Sequence, residues 1–367
     1  MVLTTPVIRA LRRARPDAHL AYLVEPQAAP AVTGNPHVNE IIVAPSVHGF
    51  ARIREDASLA RRLHRARFDA VVDFHGGPRS SLLTLATGAP VRIGYTMAGR
   101  GWMYTRQIPR PRGHRPRHSV ENQWDLAESL VPDLGRPSPS TDPVEMIADP
   151  SAARRVDERL RALEIGPSHE LVVVHVGAGN EFRRWPESAF AEVVTALSSA
   201  QPNRRIILTT GPAQAARAEE VRRLANLRGT TRGAVAVACD LELGELRSLV
   251  GRAALFVGGD SGPAHIAATT GTPMVVIYGP TTPVVWGPWR DPALATETVD
   301  VGELPCRPCD QRVCEPGDFR CLRGIRPDEV VTSAVRAIER GGRRGPSKAL
   351  SMNEGYTACV RTDHKSL

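Results

Sequence analysis

Short runs of apolar residues alternate with helical patterns along the chain. In the first half, four apolar runs predict strands: HLAYLVE (19–25), EIIVAP (40–45), DAVVDF (69–74) and VRIGY (91–95). Helical periodicity is found between them at Ser58–Arg67 and Ser80–Ala86, and a further helix is predicted from Ser119. Strands that alternate with helices favour a parallel sheet with crossover helices.

The second half repeats this pattern more sharply. Strands are predicted at LVVVHVG (171–177), RIILTTG (205–211), LFVGGD (255–260) and PMVVIYG (273–279), and helices at 151–163, 186–199, 213–226, 241–251, 262–271 and 327–340. Strands as apolar as these are typical of the centre of a doubly wound sheet covered by helices on both faces. Residues 132–150 are rich in Pro, Ser and Asp and are the best linker candidate. We therefore predict domains over 1–150 and 151–340 and a disordered tail over 341–367.

The chain begins directly with a helical pattern, Thr5–Arg15. A doubly wound domain normally opens with a strand and a tight turn into its first helix. We therefore expect that the first strand and its turn are missing, through a misassigned start codon or a truncation. A misassigned start is favoured, because the loss of a central strand would leave two neighbouring strands with unpaired backbone groups.

The composition is that of an ordinary globular protein. Of the 367 residues, 42% are hydrophobic and 23% charged, which excludes a disordered chain, a collagen and a small disulfide scaffold. No run of about 18 uncharged apolar residues predicts a transmembrane helix, and the first 20 residues do not have the pattern of a signal peptide. We expect a cytoplasmic protein with reduced thiols.

The net charge of +8 is localised. Residues 106–118 hold five arginines and no acidic residue, and residues 341–367 hold five basic and two acidic residues, so the remainder is nearly neutral. This distribution argues against nucleic-acid binding, which needs a broad basic surface. It suits an anionic small molecule or glycolipid, and any membrane contact would be peripheral, through the 106–117 loop at the inner face of the cytoplasmic membrane.

Two junctions between a strand and a helix carry candidate chemistry. In GGDSGPAHIAATTG (258–271), a strand ends at Asp260 and a helix begins near Gly262, an arrangement that suits a diphosphate. Ser261 and Gly262 allow close backbone approach, whereas Asp260 would repel a phosphate and fits a sugar hydroxyl. The alternative is that Asp260 caps the helix and that His265 is a core residue.

In HVGAGNEFRRWPESAF (175–190), a strand again enters a Gly-rich loop before a helix. Arg183 or Arg184 could neutralise a diphosphate leaving group there. The alternative is that Trp185 packs against the helix start and both arginines are solvated.

These motifs resemble glycosyltransferase family 9, the bacterial ADP-heptose:lipopolysaccharide heptosyltransferases. The resemblance rests on FDAVVDFHGGPRSSLLTLATGAPVRIGY (68–95), GAGNEFRRWPESAFAEVV (177–194), GDSGPAHIAATTGTPMVVIYGPTTPVVWGPW (259–289) and the cysteine loop CRPCDQRVCEPGDFRCL (306–322). It implies a GT-B fold, in which two Rossmann-like domains face a cleft, and an inverting transfer that needs no metal or other cofactor. The implied partners are an ADP-sugar donor and an anionic glycan or glycolipid acceptor; the oligomeric state stays open.

The resemblance also implies roles for individual residues. The implied donor site comprises Gly177, Arg183, Arg184, Asp260, Ser261, Gly262 and His265. Arg183 stands where the family has a lysine that contacts the diphosphate. Arg79, Arg92 and the 106–117 loop are candidate acceptor contacts. The aspartate that acts as the family's general base belongs to the Gly-Asp turn after the first strand, which this sequence does not contain, and Asp73 follows a different strand and is not proposed in its place.

The four cysteines of the loop, Cys306, Cys309, Cys314 and Cys321, have the spacing C-x2-C-x4-C-x6-C. This is not a familiar zinc pattern, so we predict free thiols in a packed loop and keep zinc as the alternative.

The sequence therefore predicts a glycosyltransferase that moves a sugar, with heptose the favoured one, to a lipopolysaccharide core or another cell-surface glycan. The alternatives are a truncated protein that binds the nucleotide sugar without transferring it, and a transferase for a secondary-metabolite acceptor. An epimerase of the same fold fits the Trp-Pro and Asp-Ser-Gly motifs less well.

Overall fold

The computed structural model describes residues 1–47, 49–110, 116–231 and 233–342. The α-helices are α1 Thr5–Ala14, α2 Gly49–Arg65, α3 Pro78–Ala86, α4 Ser119–Glu128, α5 Pro150–Ala162, α6 Glu187–Ala200, α7 Ala215–Leu227, α8 Leu243–Gly251, α9 Gly262–Ala267, α10 Pro283–Trp286, α11 Arg320–Arg323 and α12 Pro327–Gly342. The strands are β1 Ala21–Val24, β2 Glu40–Val43, β3 Ala70–Val72, β4 Val91–Tyr95, β5 Arg106–Ile108, β6 Glu170–His175, β7 Arg204–Thr209, β8 Val235–Ala238, β9 Leu255–Gly259, β10 Met274–Ile277 and β11 Thr296–Val299.

The second half of the chain builds one parallel sheet of six strands. Its order is β11-β10-β9-β6-β7-β8, so in chain order the strands follow the 3-2-1-4-5-6 arrangement of a doubly wound dinucleotide-binding fold. The central strands β6, β9 and β10 are buried along almost their whole length, as their continuous apolar runs predict. The order of the chain therefore reverses between β6 and β9.

The strands of the first half form two smaller parallel sheets, β1-β2 and β3-β4-β5. Ala21 pairs with Glu40 in the first, and Ala70 pairs with Val91 in the second. Within the described residues, no strand lies between β1 and β3, and each of these two strands pairs on one side only.

Three strands were not predicted from the sequence. The prediction of a loop over 106–117 is wrong at its start, because Arg106–Ile108 pairs with β4 as β5. The short strands β8 and β11 lie at the two edges of the six-stranded sheet. Edge strands need less burial than central strands, so a weak or mixed hydrophobic pattern is enough to form them. Residues 111–115 of the predicted loop and residues 343–367 of the predicted tail lie outside the described residues.

The predicted linker is tied to both halves of the chain. Arg9 of α1 donates to the carbonyl of Pro143 at 2.9 Å. The Val144 N–H donates to the Trp289 carbonyl at 2.9 Å, and Trp289 Nε1 donates to the Asp142 carbonyl at 2.8 Å. The segment is therefore an ordered connection, and the proposed boundary at residue 150 stays a prediction. Among the described helices, none is both long and apolar enough to cross a bilayer.

Candidate functional site

The two motifs leave the C-terminal sheet at adjacent positions. β6 and β9 are hydrogen-bonded neighbours, with His175 opposite Gly258. The loop after β6 and the turn after β9 therefore start side by side, at the point where the strand order reverses. In open α/β sheets, ligands bind in the crevice outside the carboxyl ends of the strands at this point.

Arg183 and Asp260 meet in this crevice. Arg183 ends a short 3-10 helix, Glu181–Arg183, that begins with an N-cap at Asn180, whose side chain accepts a hydrogen bond from Phe182 N at 2.9 Å. Arg183 Nη1 donates to the main-chain carbonyl of Asp260 at 3.3 Å and lies 3.8 Å from its Oδ2. The sequence placed these two residues 77 positions apart, and the sheet brings them together.

The pair has unused hydrogen-bonding capacity. Arg183 Nε and Asp260 Oδ2 are buried atoms without a hydrogen-bond partner among the described residues. Burial raises the pKa of Asp260, and the neighbouring Thr281 side chain and the positive charge of Arg183 oppose this rise. Because an unpartnered buried polar atom costs free energy, the pair is suited to a ligand that offers an anionic group to Arg183 and a hydroxyl to Asp260.

Ser261, not Asp260, is the N-cap residue of α9, and neither side chain caps the helix. The interpretation of Asp260 as a capping residue is therefore wrong. The Ser261 hydroxyl donates to the Gly259 carbonyl at 3.1 Å. A Cβ atom added at Gly262 would meet no atom within 4 Å, so the backbone at Gly262 faces open space.

His265 lies beside Asp260, with 4.0 Å between its Nε2 and Asp260 Oδ1. Burial lowers the pKa of His265 to about 3, and nearby positive charges, including Arg183, act in the same direction. His265 is therefore neutral at physiological pH and can exchange a hydrogen bond with a ligand without adding charge.

Gly177 opens the loop after β6, and Gln214 holds that loop in place. Gln214 Oε1 accepts from Ala178 N at 3.2 Å, and Gln214 Nε2 donates to the Ala178 carbonyl at 2.9 Å. Arg184 Nε also donates to this carbonyl, at 3.4 Å. Gln214 was not predicted from the sequence as a site residue. Its position just after β7, on the same edge of the sheet, could have indicated it.

Trp185 packs at the start of α6, as the alternative interpretation of this motif predicts. Its ring meets Phe190 edge-on with 4.9 Å between centroids, and the side chain is buried. Trp185 Nε1 has no hydrogen-bond partner among the described residues. The tryptophan thus anchors the segment that carries Arg183 and Arg184.

The candidate acceptor residues are engaged elsewhere in the N-terminal half. Arg79 pairs with Asp56 and with Glu25 at 2.7 Å, and donates to the Pro45 carbonyl at 3.0 Å. Arg92 donates to the carbonyls of Met103 at 2.9 Å and Ala89 at 2.6 Å. Both guanidinium groups hold local structure together, so their role toward an acceptor stays a prediction.

Asp73 organises the turn after β3. Its Oδ1 accepts from His75 N and Gly76 N, both at 2.9 Å, and its Oδ2 accepts from the Tyr104 hydroxyl at 2.7 Å. These three hydrogen bonds hold the turn after β3 in place, and the omission of Asp73 from the catalytic residues stays a prediction.

The four loop cysteines line a single cavity of about 330 Å³, together with Phe182 and Phe319. They are free thiols, and burial raises the pKa of Cys321. Among the described residues, no group of three or more His, Cys, Asp or Glu side chains is placed to hold a metal ion. Phe182 precedes Arg183 and packs against Phe319, with 5.5 Å between the ring centroids. The cysteine loop therefore borders the segment that carries Arg183.

Comparison with known proteins identifies the family of this chain. Glycosyltransferase family 9 (heptosyltransferase) matches residues 57–317, more than half of the chain. Lipopolysaccharide heptosyltransferase 3 of Escherichia coli K12 is 27% identical over 318 residues, which cover 84% of this chain and 87% of that protein.

Two solved structures share the fold over almost the whole chain. The family 9 glycosyl transferase of Veillonella parvula aligns with a TM-score of 0.77 at 22% identity, covering 92% of this chain and 93% of that one. The E. coli ADP-heptose LPS heptosyltransferase II aligns with a TM-score of 0.70 at 19% identity, covering 93% and 95%. The chain therefore has the GT-B fold of two Rossmann-like domains facing a cleft, and it belongs to glycosyltransferase family 9, the heptosyltransferase family.

Proposed function

We propose that this glycosyltransferase transfers a heptose from ADP-heptose to a lipopolysaccharide core or another anionic cell-surface glycan, with inversion and without a metal ion. The observation that carries the proposal is the Arg183–Asp260 pair at the strand-order reversal, with two buried polar atoms that have no hydrogen-bond partner in the part of the chain that the structure describes. The similarity to lipopolysaccharide heptosyltransferase 3 and to ADP-heptose LPS heptosyltransferase II supports this choice of donor and acceptor.

On the donor side, Arg183 would contact the diphosphate and neutralise the charge that develops on it as it leaves. Asp260 would accept a hydrogen bond from a sugar or ribose hydroxyl, because a carboxylate beside a phosphate would be repelled. The open space at Gly262 lets the ligand approach the backbone closely. Gly177, Arg184, Ser261 and His265 would complete the donor site.

The transfer itself is a single displacement. An acceptor hydroxyl oxygen bonds to the anomeric carbon as the bond between that carbon and the diphosphate oxygen breaks, and ADP departs with the electron pair. The hydroxyl proton passes to a carboxylate base. Attack opposite the leaving group inverts the anomeric configuration.

Binding without transfer is the second candidate function. It is favoured by one observation: neither carboxylate described above is placed as a free base, since Asp73 accepts three hydrogen bonds and Asp260 belongs to the donor side. The two candidates make the same prediction for donor binding and different predictions for transfer.

Donor binding is tested by calorimetric titration of the chain with ADP and ADP-heptose. We expect Arg183→Ala to weaken both affinities about tenfold or more, because a charge-assisted contact to a phosphate is lost. Arg223→Ala is the matched control, since Arg223 pairs only with Glu220 one turn away on α7. Equal affinities for Arg183→Ala and wild type would overturn the site, and tighter binding of UDP or GDP would overturn the choice of donor.

Transfer is tested by mass spectrometry of a heptose-deficient lipopolysaccharide core incubated with ADP-heptose and the chain. A product heavier by one heptose supports the transferase, and NMR of that product reads its anomeric configuration. Donor binding without any product would favour the second candidate.

A further inference from the structure

The outer face of α2 combines large apolar side chains with arginines. We define this face by residues that recur every three or four positions on the side away from the core: Phe50, Ile53, Arg54, Ala57, Arg61 and Arg65. Phe50 is 92% exposed and Ile53 is 67% exposed. The opposite face buries Leu59 and Leu63. Core packing therefore accounts for the buried face of the helix and not for its apolar outer residues.

The charge on this face has one sign. It carries three arginines and no acidic residue. Arg61 and Arg65 have no carboxylate partner among the described residues, and Arg54 lies 3.7 Å from Glu55, its neighbour in the chain. The acidic residues of α2 lie outside this face. One of them, Asp56, faces α3 and pairs with Arg79. Arg61 and Arg65 thus lie without a carboxylate partner on the same face as Phe50 and Ile53, and exposed apolar side chains together with free positive charge suit contact with an anionic membrane.

The position of α2 also fits such a contact. The helix begins soon after the carboxyl end of β2, so Phe50 and Ile53 lie near the carboxyl edge of the N-terminal strands. This is the edge at which open α/β sheets bind ligands. α3 packs against α2 and carries the exposed side chain Leu82, and the 3-10 helix Gly101–Met103, which packs against α3, carries the exposed Trp102.

We propose that the outer face of α2 docks on an anionic phospholipid bilayer, with Phe50 and Ile53 inserted among the acyl chains and Arg54, Arg61 and Arg65 on lipid phosphates. This goes beyond the proposed function, because it depends on one helix face and not on which sugar is moved. It also moves the membrane contact from the basic loop, where the sequence analysis placed it, to α2.

The test is co-sedimentation of the full chain with vesicles of phosphatidylglycerol and phosphatidylethanolamine, compared with phosphatidylcholine vesicles. We expect binding to the anionic vesicles that weakens in high salt. Phe50→Ser/Ile53→Ser should reduce affinity about tenfold or more, because it removes apolar insertion, and Arg54→Gln/Arg61→Gln/Arg65→Gln should reduce it about a hundredfold, because it removes three charges.

Matched controls come from α7. Leu227→Ser removes a side chain that is 73% exposed, and Arg222→Gln/Arg223→Gln removes two exposed arginines; both should bind as wild type does. Circular dichroism and ADP titration check that each variant is folded. Absence of wild-type binding, or equal binding by the α2 variants, would overturn the proposal. A loss of self-association in the α2 variants, without vesicle binding, would assign the face to a second copy of the chain instead.

Discussion

At the scale of single residues, the donor turn departs from what its motif suggested. α9 spans only Gly262–Ala267, and Pro263 has no N–H to offer. The N–H groups of Ala264 and His265 both approach the Ser261 carbonyl, at 3.1 and 3.4 Å. The turn therefore has few backbone donors left, so in the proposed donor site the positive charge facing the diphosphate would come mainly from Arg183.

The open space at Gly262 yields a prediction about two glycines. Gly262→Ala should leave the free energy of unfolding nearly unchanged and weaken ADP binding, because its methyl group would occupy the space of the ligand. Gly287→Ala is the contrasting variant, since its Cβ would lie 2.6 Å from the Pro283 carbonyl oxygen, and it should cost about 1–3 kcal/mol of stability. Calorimetry and chemical denaturation measure the two effects separately. Undiminished ADP binding by Gly262→Ala would argue against this approach path.

At the scale of elements, α4 joins the two halves of the molecule through its first turn. The helix begins at Ser119, as the sequence predicts, and its N-cap is His118. His118 Nδ1 accepts from Val120 N at 3.2 Å, and its Nε2 meets the Gly287 carbonyl at 3.0 Å. The ring also stacks on Trp289 with 4.6 Å between centroids. A neutral ring that carries its proton on Nε2 satisfies both hydrogen bonds.

This geometry makes the stability of α4 depend on pH. Burial lowers the pKa of His118, so its contribution to stability is present above the ordinary pKa of histidine and is lost as pH falls through the folded value. His118→Ala should cost about 1 kcal/mol at pH 8, because the cap is lost. His118→Asn should keep the cap and remove the part of the acid-dependent loss that His118 contributes, leaving the part that comes from other buried histidines such as His265. Denaturation at pH 8 and pH 5 tests both variants, and an unchanged pH dependence in His118→Asn would contradict the assignment.

At the scale of the whole molecule, the two halves share one hydrophobic cluster. Val2, Leu3 and Val120 of the first half pack in the same cluster as Val173 and Phe256 of the six-stranded sheet. Arg9 and Arg13 of α1 add ion pairs to Glu145 and Asp142 of the connecting segment. The halves are therefore coupled by packing, not only by the chain that links them.

We predict that the chain unfolds in a single calorimetric transition. Val120→Ala should lower the stability of the whole molecule by about 2 kcal/mol, because it removes fully buried methyl groups from the shared cluster. Leu227→Ala, on an exposed position of α7, is the control and should change stability by less than about 0.5 kcal/mol. Two separate transitions, of which Val120→Ala shifts only one, would show that the halves unfold independently.

The sequence alone was sufficient to predict the buried strands and their arrangement in parallel sheets. β4, β6, β9 and β10 are apolar runs whose burial follows from their own composition, and their alternation with helices predicts parallel sheets. The junctions after β6 and β9 were recognisable as candidate ligand-binding turns, because strand ends and glycines are local features.

Partners that are distant in the chain were decided only by the tertiary structure. Three interactions join segments whose own sequence patterns are weak: β5 pairs with β4, Gln214 hydrogen-bonds to the Ala178 peptide, and His118 contacts the Gly287 carbonyl. The approach of Arg183 to Asp260 depends on the order of strands in the sheet. A local pattern encodes which side of an element is buried, whereas a polar side chain finds its partner only when the folded sheet brings both to the same edge.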